Sequence, residues 1–161
     1  MKTAVYPGSF DPITYGHVDL VRRGLRIADR LVIAVLGNST KDPLFSVSER
    51  LAQVRGAVKG FRGVSVVAFD GLLVDFVKKT RVDFVIRGLR AISDFEYEFQ
   101  MALMNRRLNE RIETVFLTPA EPFTYVSSRI VKEIARFNGN VSGLVTPRVA
   151  ADLRKRFRGQ R

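Results

Sequence analysis

The sequence contains no cysteine, no tryptophan and only one histidine, His17. Without cysteine the chain can form no disulfide, no thiolate nucleophile and no thiolate metal site. A single histidine is also too few for the multi-histidine sites that zinc prefers. No apolar run reaches the length of a membrane span, and the N-terminus has a strand pattern rather than that of a signal peptide. We therefore expect a soluble, cytoplasmic protein.

The charge is strongly positive. The 161 residues include 27 lysines and arginines against 16 acidic residues, a formal net charge of +11. Such a protein attracts phosphates, whether on nucleotides, nucleic acids or lipids. Part of the excess lies in residues 148–161, which we interpret as a basic helix end and solvated tail. A nucleic-acid patch and a contact with a neighbouring subunit are the alternatives for this segment, where Phe157 is the only aromatic residue that could stack on a base.

Strand-like and helix-like segments alternate along the chain, and the apolar content of 46% is enough for a core. The predicted strands are 2–6, 31–36, 64–69, 84–86 and 114–117, and the predicted helices are 17–28, 46–58, 72–79, 93–108, 127–137 and one that begins near 147. Ser46 and Ser93 each start a capping-box pattern. Buried strands joined by helices predict one α/β domain over residues 1–161, with a doubly wound, Rossmann-like sheet of five parallel strands. Ligands then bind beyond the carboxyl ends of the strands.

The loop after the first strand has the composition of a phosphate site. Gly8 exposes its backbone, and Ser9 offers a hydroxyl and an N–H group. His17 falls at the start of the next helix, where backbone donors and the helix dipole favour phosphate. A lone histidine is more often structural, but this position favours a donor to phosphate. The loop matches neither the phosphate loop of P-loop kinases nor the dinucleotide fingerprint of dehydrogenases.

Further basic and polar residues follow the other strands. Lys41 ends the polar loop after the second strand, and Arg87-Gly88-Leu89-Arg90 follows the fourth. Arginine holds phosphate bidentately, whereas a loop lysine is equally well read as solvated. Asp94 and Glu96 are interpreted as caps and dipole partners of a helix start. The serines at 127 and 128 also have the position of helix caps.

Several of these segments resemble one known family. Gly8-Ser9-Phe10-Asp11-Pro12 followed by Thr14-Tyr15-Gly16-His17 is similar to the signature of the nucleotidyltransferase superfamily with an H/T-x-G-H motif. Together with Lys41 and the segments 87–90, 94–98 and 126–128, it resembles the phosphopantetheine adenylyltransferases of the coenzyme A pathway, over nearly the whole chain. The resemblance implies adenylyl transfer from ATP to 4′-phosphopantetheine, giving dephospho-coenzyme A and pyrophosphate without a covalent intermediate. It also implies Mg²⁺ bound mainly through the ATP phosphates, a homohexamer, and feedback by coenzyme A.

The resemblance also implies which residues form the site. His17, Lys41 and Arg90 would be catalytic, and Ser9, Lys41, Leu73 and Arg87 would bind the acceptor. The implied ATP site comprises Ser9, Phe10, His17, Gly88, Leu89, Arg90, Glu98, Phe123, Thr124, Tyr125, Val126, Ser127, Ser128 and Arg129. Arg129 stands where the family usually has a small hydroxyl residue, so it either adds a phosphate ligand or points to solvent. No residue is expected to serve as a metal ligand.

Three alternatives stay open at this point. A sister nucleotidyltransferase would use nicotinate or nicotinamide mononucleotide as acceptor, or would transfer a cytidylyl group. A basic nucleic-acid-binding module could be built on a similar sheet, and an assembly protein could keep the fold without the chemistry. The residues Arg87 to Arg90 and the acidic run from Asp94 to Glu98 favour the pantetheine acceptor.

Overall fold

A computed structural model describes residues 1–37, 42–90 and 92–158. The strands are β1 (Thr3–Gly8), β2 (Arg30–Leu36), β3 (Val64–Phe69), β4 (Phe84–Gly88) and β5 (Glu113–Leu117). The helices are α1 (Tyr15–Gly24), α2 (Val47–Ala57), α3 (Leu73–Thr80), α4 (Ile92–Leu108), α5 (Ser128–Arg136) and α6 (Pro147–Arg158), with a 3₁₀ helix at Glu121–Phe123. None of the described helices is both long and apolar enough to cross a bilayer.

The strands form one parallel sheet in the order β3-β2-β1-β4-β5. The predicted doubly wound fold of five parallel strands is thereby confirmed. The chain runs outward from β1 to β3, then crosses to β4 on the other side of β1. The strand order therefore reverses between β1 and β4, which end at Gly8 and Gly88. A doubly wound sheet binds ligands at this reversal point. The assignment of residues 1–161 to one domain stays a prediction.

Alternate residues of the central strands enter two separate cores. Tyr6 and Ile86 join a core with residues of α1, α2, α5 and α6. Their chain neighbours Val5 and Val85 join a second core with residues of α3. This alternation follows from the pleat of a strand, which points successive side chains to opposite faces. Helices cover both faces, and this explains why the strands are apolar runs.

Helix boundaries differ from the predicted ones where local signals compete. The capping box at Ser46 is confirmed, because its hydroxyl accepts the Glu49 N–H at 3.3 Å and the Glu49 carboxylate accepts the Ser46 N–H at 2.7 Å. At the second such pattern, α4 begins at Ile92, one residue earlier than the predicted start at Ser93. The Asp94 carboxylate accepts the backbone N–H of Arg90 at 3.3 Å.

Candidate active site

A cavity of about 320 Å³ lies at the carboxyl ends of β1 and β4. Its walls come from the loop after β1, the start of α1, the end of β4, and the segment that leads into α5. Among the predicted site residues it is lined by Ser9, Phe10, His17, Arg87, Gly88, Arg90, Glu98, Phe123, Val126, Ser127, Ser128 and Arg129. Leu89, Thr124 and Tyr125 are not part of this lining. Lys41 lies outside the described residues, so its predicted role stays a prediction.

The start of α1 holds the His17 ring in one orientation. Thr14, the N-cap residue, donates its backbone N–H to His17 Nδ1 at 2.9 Å, and its Oγ1 lies 3.0 Å from the same nitrogen. In return, the His17 N–H donates to Thr14 Oγ1 at 3.4 Å. Because Nδ1 accepts a hydrogen bond, the proton of the neutral ring lies on Nε2. This capping box therefore leaves Nε2–H as the ring's donor to the cavity.

The surroundings of His17 keep its ring neutral. Burial, followed by the nearby Arg90 and Arg87 guanidinium groups, lowers the pKa of the imidazole from 6.5 to about 4. Burial and like charge both disfavour the imidazolium form. At neutral pH the ring is therefore a hydrogen-bond donor without a charge of its own.

This pKa can be measured directly, because His17 is the only histidine in the chain. We expect its imidazole NMR signal to titrate with a midpoint of about 4 in the folded protein. In urea, as a control, the midpoint should return to its ordinary value. The unfolded chain then binds more protons between about 4 and 6.5, so the free energy of unfolding rises with pH across that interval. A folded-state midpoint at the ordinary value would mean a solvated ring.

Arg87 is already held by protein groups on one side. Its Nε and a terminal nitrogen donate to the two Glu98 carboxylate oxygens at 2.6 and 2.5 Å, and its other terminal nitrogen donates to the Pro7 carbonyl at 2.8 Å. Burial lowers the pKa of Arg87, but its bonds to Glu98 more than offset this and hold the pKa above its ordinary value. Of the five guanidinium N–H groups, these bonds use three, which leaves two without a partner among the described residues.

Arg90 connects two walls of the cavity. Its guanidinium donates to the Asp94 carboxylate at 3.0 and 3.3 Å and to the Val126 carbonyl at 3.3 Å. Asp94 belongs to the first turn of α4, and Val126 belongs to the segment before α5. The Arg90 guanidinium is thus bound to both walls of the cavity that His17 lines. This is compatible with the catalytic role that the resemblance implies for Arg90.

A second cavity, of about 380 Å³, adjoins the first. Both are lined by Pro7, Gly8, Ser9, Arg87 and Glu98. The rest of the second cavity is mainly apolar and lies between α3 and α4, with Leu36, Phe69, Leu72, Leu73, Met101 and Ala102 among its walls. Leu73 was predicted as an acceptor contact, and the structure places it here rather than in the first cavity.

Sequence reasoning named Glu98 as a nucleotide contact but missed the rest of the α4 wall of this second cavity. Glu98, Met101, Ala102 and Asn105 all line it. Their spacing of three, four and seven residues puts them on one face of a helix, and this signal is visible in the sequence. The element that this helix face packs against depends on the order of the strands in the sheet. That order is known only from the fold.

Two buried charged residues hold the first loop in place. Asp11 accepts the N–H groups of Leu44 and Phe45, each at 2.9 Å, and the ammonium group of Lys132 at 2.8 Å. Arg50, which is fully buried, donates to the carbonyls of Ser9, Leu36 and Phe45 at 2.7, 2.8 and 3.1 Å. Together they fasten the end of β1 to the end of β2 and to the segment before α2. An arginine in a helix normally reads as solvated, so the sequence did not single out Arg50.

Two of the glycines that line the first cavity, Gly8 and Gly88, make room for protein side chains. A Cβ at Gly8 would lie 3.0 Å from the Phe10 ring, and one at Gly88 would lie 2.3 Å from Leu20 Cδ1. Phe10 adopts a positive φ of 46° and buries its ring in the core. The Phe10 ring and the Leu20 side chain therefore occupy the space that a side chain at Gly8 or Gly88 would need. This lets the loop backbone lie close to the sheet.

Comparison with known proteins shows the family to which the chain belongs. Residues 5–134 match the family model described as cytidylyltransferase-like. The crystal structure of a Vibrio parahaemolyticus protein, provisionally named a nicotinate-nucleotide adenylyltransferase, shares the fold, with a TM-score of 0.72 at 16% identity over 95% of this chain and 91% of that one. The chain therefore belongs to the cytidylyltransferase-like class of nucleotidyltransferases.

Full-length relatives narrow this class. The phosphopantetheine adenylyltransferase of Prochlorococcus marinus (strain MIT 9211) is 51% identical over 155 residues, which cover 96% of this chain and 99% of the relative. That of Lachnoclostridium phytofermentans is 52% identical over 161 residues, covering 100% of this chain and 99% of the relative. Within the class, the chain belongs to the phosphopantetheine adenylyltransferase family.

Proposed function

We propose that the protein transfers the adenylyl group of ATP to 4′-phosphopantetheine, forming dephospho-coenzyme A and pyrophosphate, the penultimate step of coenzyme A biosynthesis. The observation that carries this proposal is the pair of adjoining cavities with Ser9 and Arg87 in their shared wall. One cavity is rich in phosphate donors, and the other has the mainly apolar walls that suit a pantetheine arm. ATP and the acceptor then meet where the cavities join.

The nucleotide occupies the first cavity. The α5 helix starts there, and a helix N-terminus binds phosphate through its free N–H groups and its dipole. The Ser127 hydroxyl accepts the Ile130 N–H at 3.1 Å, and the Ser128 hydroxyl donates to the Pro12 carbonyl at 2.7 Å. Because these hydroxyls are engaged, we assign phosphate binding at this end to backbone N–H groups. Arg129, which lines the cavity and is exposed, is proposed as an additional phosphate ligand.

The acceptor occupies the second cavity. Its phosphate is placed at Ser9 and Arg87, with Lys41 completing this subsite by family resemblance. The arm runs along Leu73 and the α4 face toward Asn105. We assign Glu98, which lines both cavities, to holding Arg87 in position at the nucleotide boundary.

The reaction is a direct displacement. An oxygen of the acceptor phosphate attacks the α-phosphorus of ATP, and the bond to pyrophosphate breaks as the new bond forms. Nε2–H of His17 and the Arg90 guanidinium donate to the charge that develops on the transferred group. The protein contributes by placing two anions in contact, for which no covalent intermediate is needed.

The substrate would supply most of the ligands of a magnesium ion at this site. Among the described residues no cluster of three or more histidine, cysteine or carboxylate side chains is arranged to hold a metal ion. The Glu98 carboxylate in the cavity is already bound to Arg87. We therefore propose that Mg²⁺ would be held mainly by ATP phosphate oxygens and water, and that it would supply positive charge to the leaving pyrophosphate.

The decisive assay mixes the protein with ATP, Mg²⁺ and 4′-phosphopantetheine and measures dephospho-coenzyme A and pyrophosphate. Parallel reactions with nicotinate mononucleotide as acceptor, and with CTP as donor, test the sister activities. Turnover with a mononucleotide but not with phosphopantetheine would refute the proposal. A gel shift in moderate salt tests the nucleic-acid alternative, since such binding depends steeply on salt.

A homohexamer in the cytoplasm, inhibited by coenzyme A, belongs to the same proposal. Seven apolar side chains of α4 are 40% to 62% exposed: Phe95, Tyr97, Phe99, Met101, Leu103, Met104 and Leu108. An apolar surface of this kind typically marks a protein interface.

Coenzyme A contains the acceptor's own phosphopantetheine arm, so it competes for the same cavity. Sedimentation of the chain alone, and inhibition at rising phosphopantetheine concentrations, test the two parts.

Narrowing the second cavity should weaken acceptor binding alone. We expect Ala102→Phe to raise KM for phosphopantetheine and to leave KM for ATP unchanged, because Ala102 lines only the second cavity. Ala52→Phe is a matched control, since Ala52 is also half-buried on a helix but lines neither cavity. Steady-state kinetics with each substrate varied in turn measure both effects. A rise in KM for ATP alone would place the acceptor elsewhere.

A further inference from the structure

Tyr6 contributes the one phenol of the first cavity. It lies on β1 and is 5% exposed, and it is one of the residues that line the cavity. The ring packs edge-on against Phe10, with 5.4 Å between centroids, and lies 6.4 Å from the His17 ring. Phe10 in turn packs against His17 at 5.2 Å. Three rings thus hold each other in place beside the Nε2–H donor.

The Tyr6 hydroxyl has no hydrogen-bond partner among the residues that the structure describes, and it is not one of their fully buried, unpartnered side-chain atoms. A buried tyrosine normally satisfies its O–H group. Here the hydroxyl reaches the cavity, where Arg87, Arg90 and Glu98 are its charged neighbours. A phenol that is influenced by two guanidinium groups, in a cavity proposed to bind phosphate, is placed to donate to an anion.

The phenol also keeps its proton. Burial raises the pKa of Tyr6 well above its ordinary value, and this effect exceeds the opposing influence of Arg87 and Arg90. The group is therefore a neutral O–H donor throughout the working pH range. It can supply a hydrogen bond to a phosphoryl oxygen, but it cannot act as a base.

We propose that Tyr6 is a further catalytic residue, whose hydroxyl donates a hydrogen bond to a non-bridging oxygen of the transferred α-phosphoryl group, beside His17. This inference rests on the proposed function for the identity of the reaction. The interaction strengthens as negative charge grows on that oxygen, so it favours the transition state over bound ATP. No proton is transferred, and no bond to Tyr6 is formed.

The test compares the wild type with Tyr6→Phe, which removes only the oxygen, and with Tyr15→Phe, whose tyrosine lines neither cavity. We expect Tyr6→Phe to lower kcat by about 10- to 100-fold, the scale of a hydrogen bond to a charged group, with both KM values unchanged. Its melting temperature should be unchanged or higher, because an unpartnered hydroxyl is lost. Tyr15→Phe should retain full kcat. A Tyr6→Phe variant with normal kcat, with a raised KM alone, or without a stable fold would overturn the proposal.

A second readout does not need turnover. Tyrosine labelled with ¹³C at Cζ gives one signal for each of the four tyrosines, and the Tyr6 signal is the one missing in Tyr6→Phe. We expect this signal to move on addition of Mg²⁺ with ATP, and the Tyr15 signal to stay in place. An unmoved Tyr6 signal overturns the proposal whatever the kinetics. If the wild type is inactive with phosphopantetheine, the proposed function fails, while the Cζ signal still decides whether Tyr6 meets a nucleotide phosphate.

Discussion

Replacing His17 with alanine should lower kcat by about 10² or more, the scale of losing one donor to developing charge, with little change in either KM. The ring donates through Nε2–H because its Nδ1 accepts the Thr14 backbone N–H. Burial and two neighbouring guanidinium groups lower the pKa of the His17 ring to about 4. The alanine variant therefore lacks a neutral hydrogen-bond donor, not a charged one. The deficit should therefore be the same at every pH from 6 to 8. Steady-state kinetics across this range measure it.

His17→Asn separates catalysis from helix capping. An asparagine oxygen can replace Nδ1 as the acceptor of the Thr14 N–H, but the side chain has no atom at the position of Nε2. We expect this variant to lose as much kcat as His17→Ala while retaining more of the free energy of unfolding. Losing a cap costs about 1 kcal/mol, and thermal or urea unfolding detects that difference. Normal turnover in either variant would remove His17 from the mechanism.

The sequence predicts the fold and the position of the first loop because their signals are local. Strand and helix periodicities are read within short windows, and the capping pattern at Ser46 is satisfied by residues three apart. The same pattern at Ser93 predicts the helix start to within one residue, since α4 begins at Ile92.

Pairings between distant residues are what the sequence could not provide. Arg87 and Glu98 were assigned to different substrates, yet the structure joins them in one bidentate ion pair. Arg50 supports the loops of two strands from a helix position that no motif marks. Each of these contacts depends on strand order and on the direction in which a helix returns to the sheet. The composition of the chain and the spacing of its residues give neither the strand order nor the direction of the helices.

Arg87→Ala should raise KM for phosphopantetheine by about tenfold or more, because a charge-assisted hydrogen bond is worth about 1.5–3 kcal/mol. KM for ATP should stay near its wild-type value if the acceptor assignment is right. The variant should also be less stable, since the Glu98 carboxylate, 12% exposed as a side chain, loses its partner. Breaking one side of such a pair costs about 3–5 kcal/mol.

The double variant Arg87→Ala/Glu98→Ala distinguishes the two effects. Removing both charges leaves no unpaired carboxylate, so most of the lost stability should return. The acceptor KM should stay high, because the phosphate ligand is still missing. Recovery of both stability and acceptor KM would show that Arg87 only neutralises Glu98. A rise in KM for ATP alone would assign Arg87 to the nucleotide instead of the acceptor. The point at which the two phosphates meet would then lie further into the second cavity.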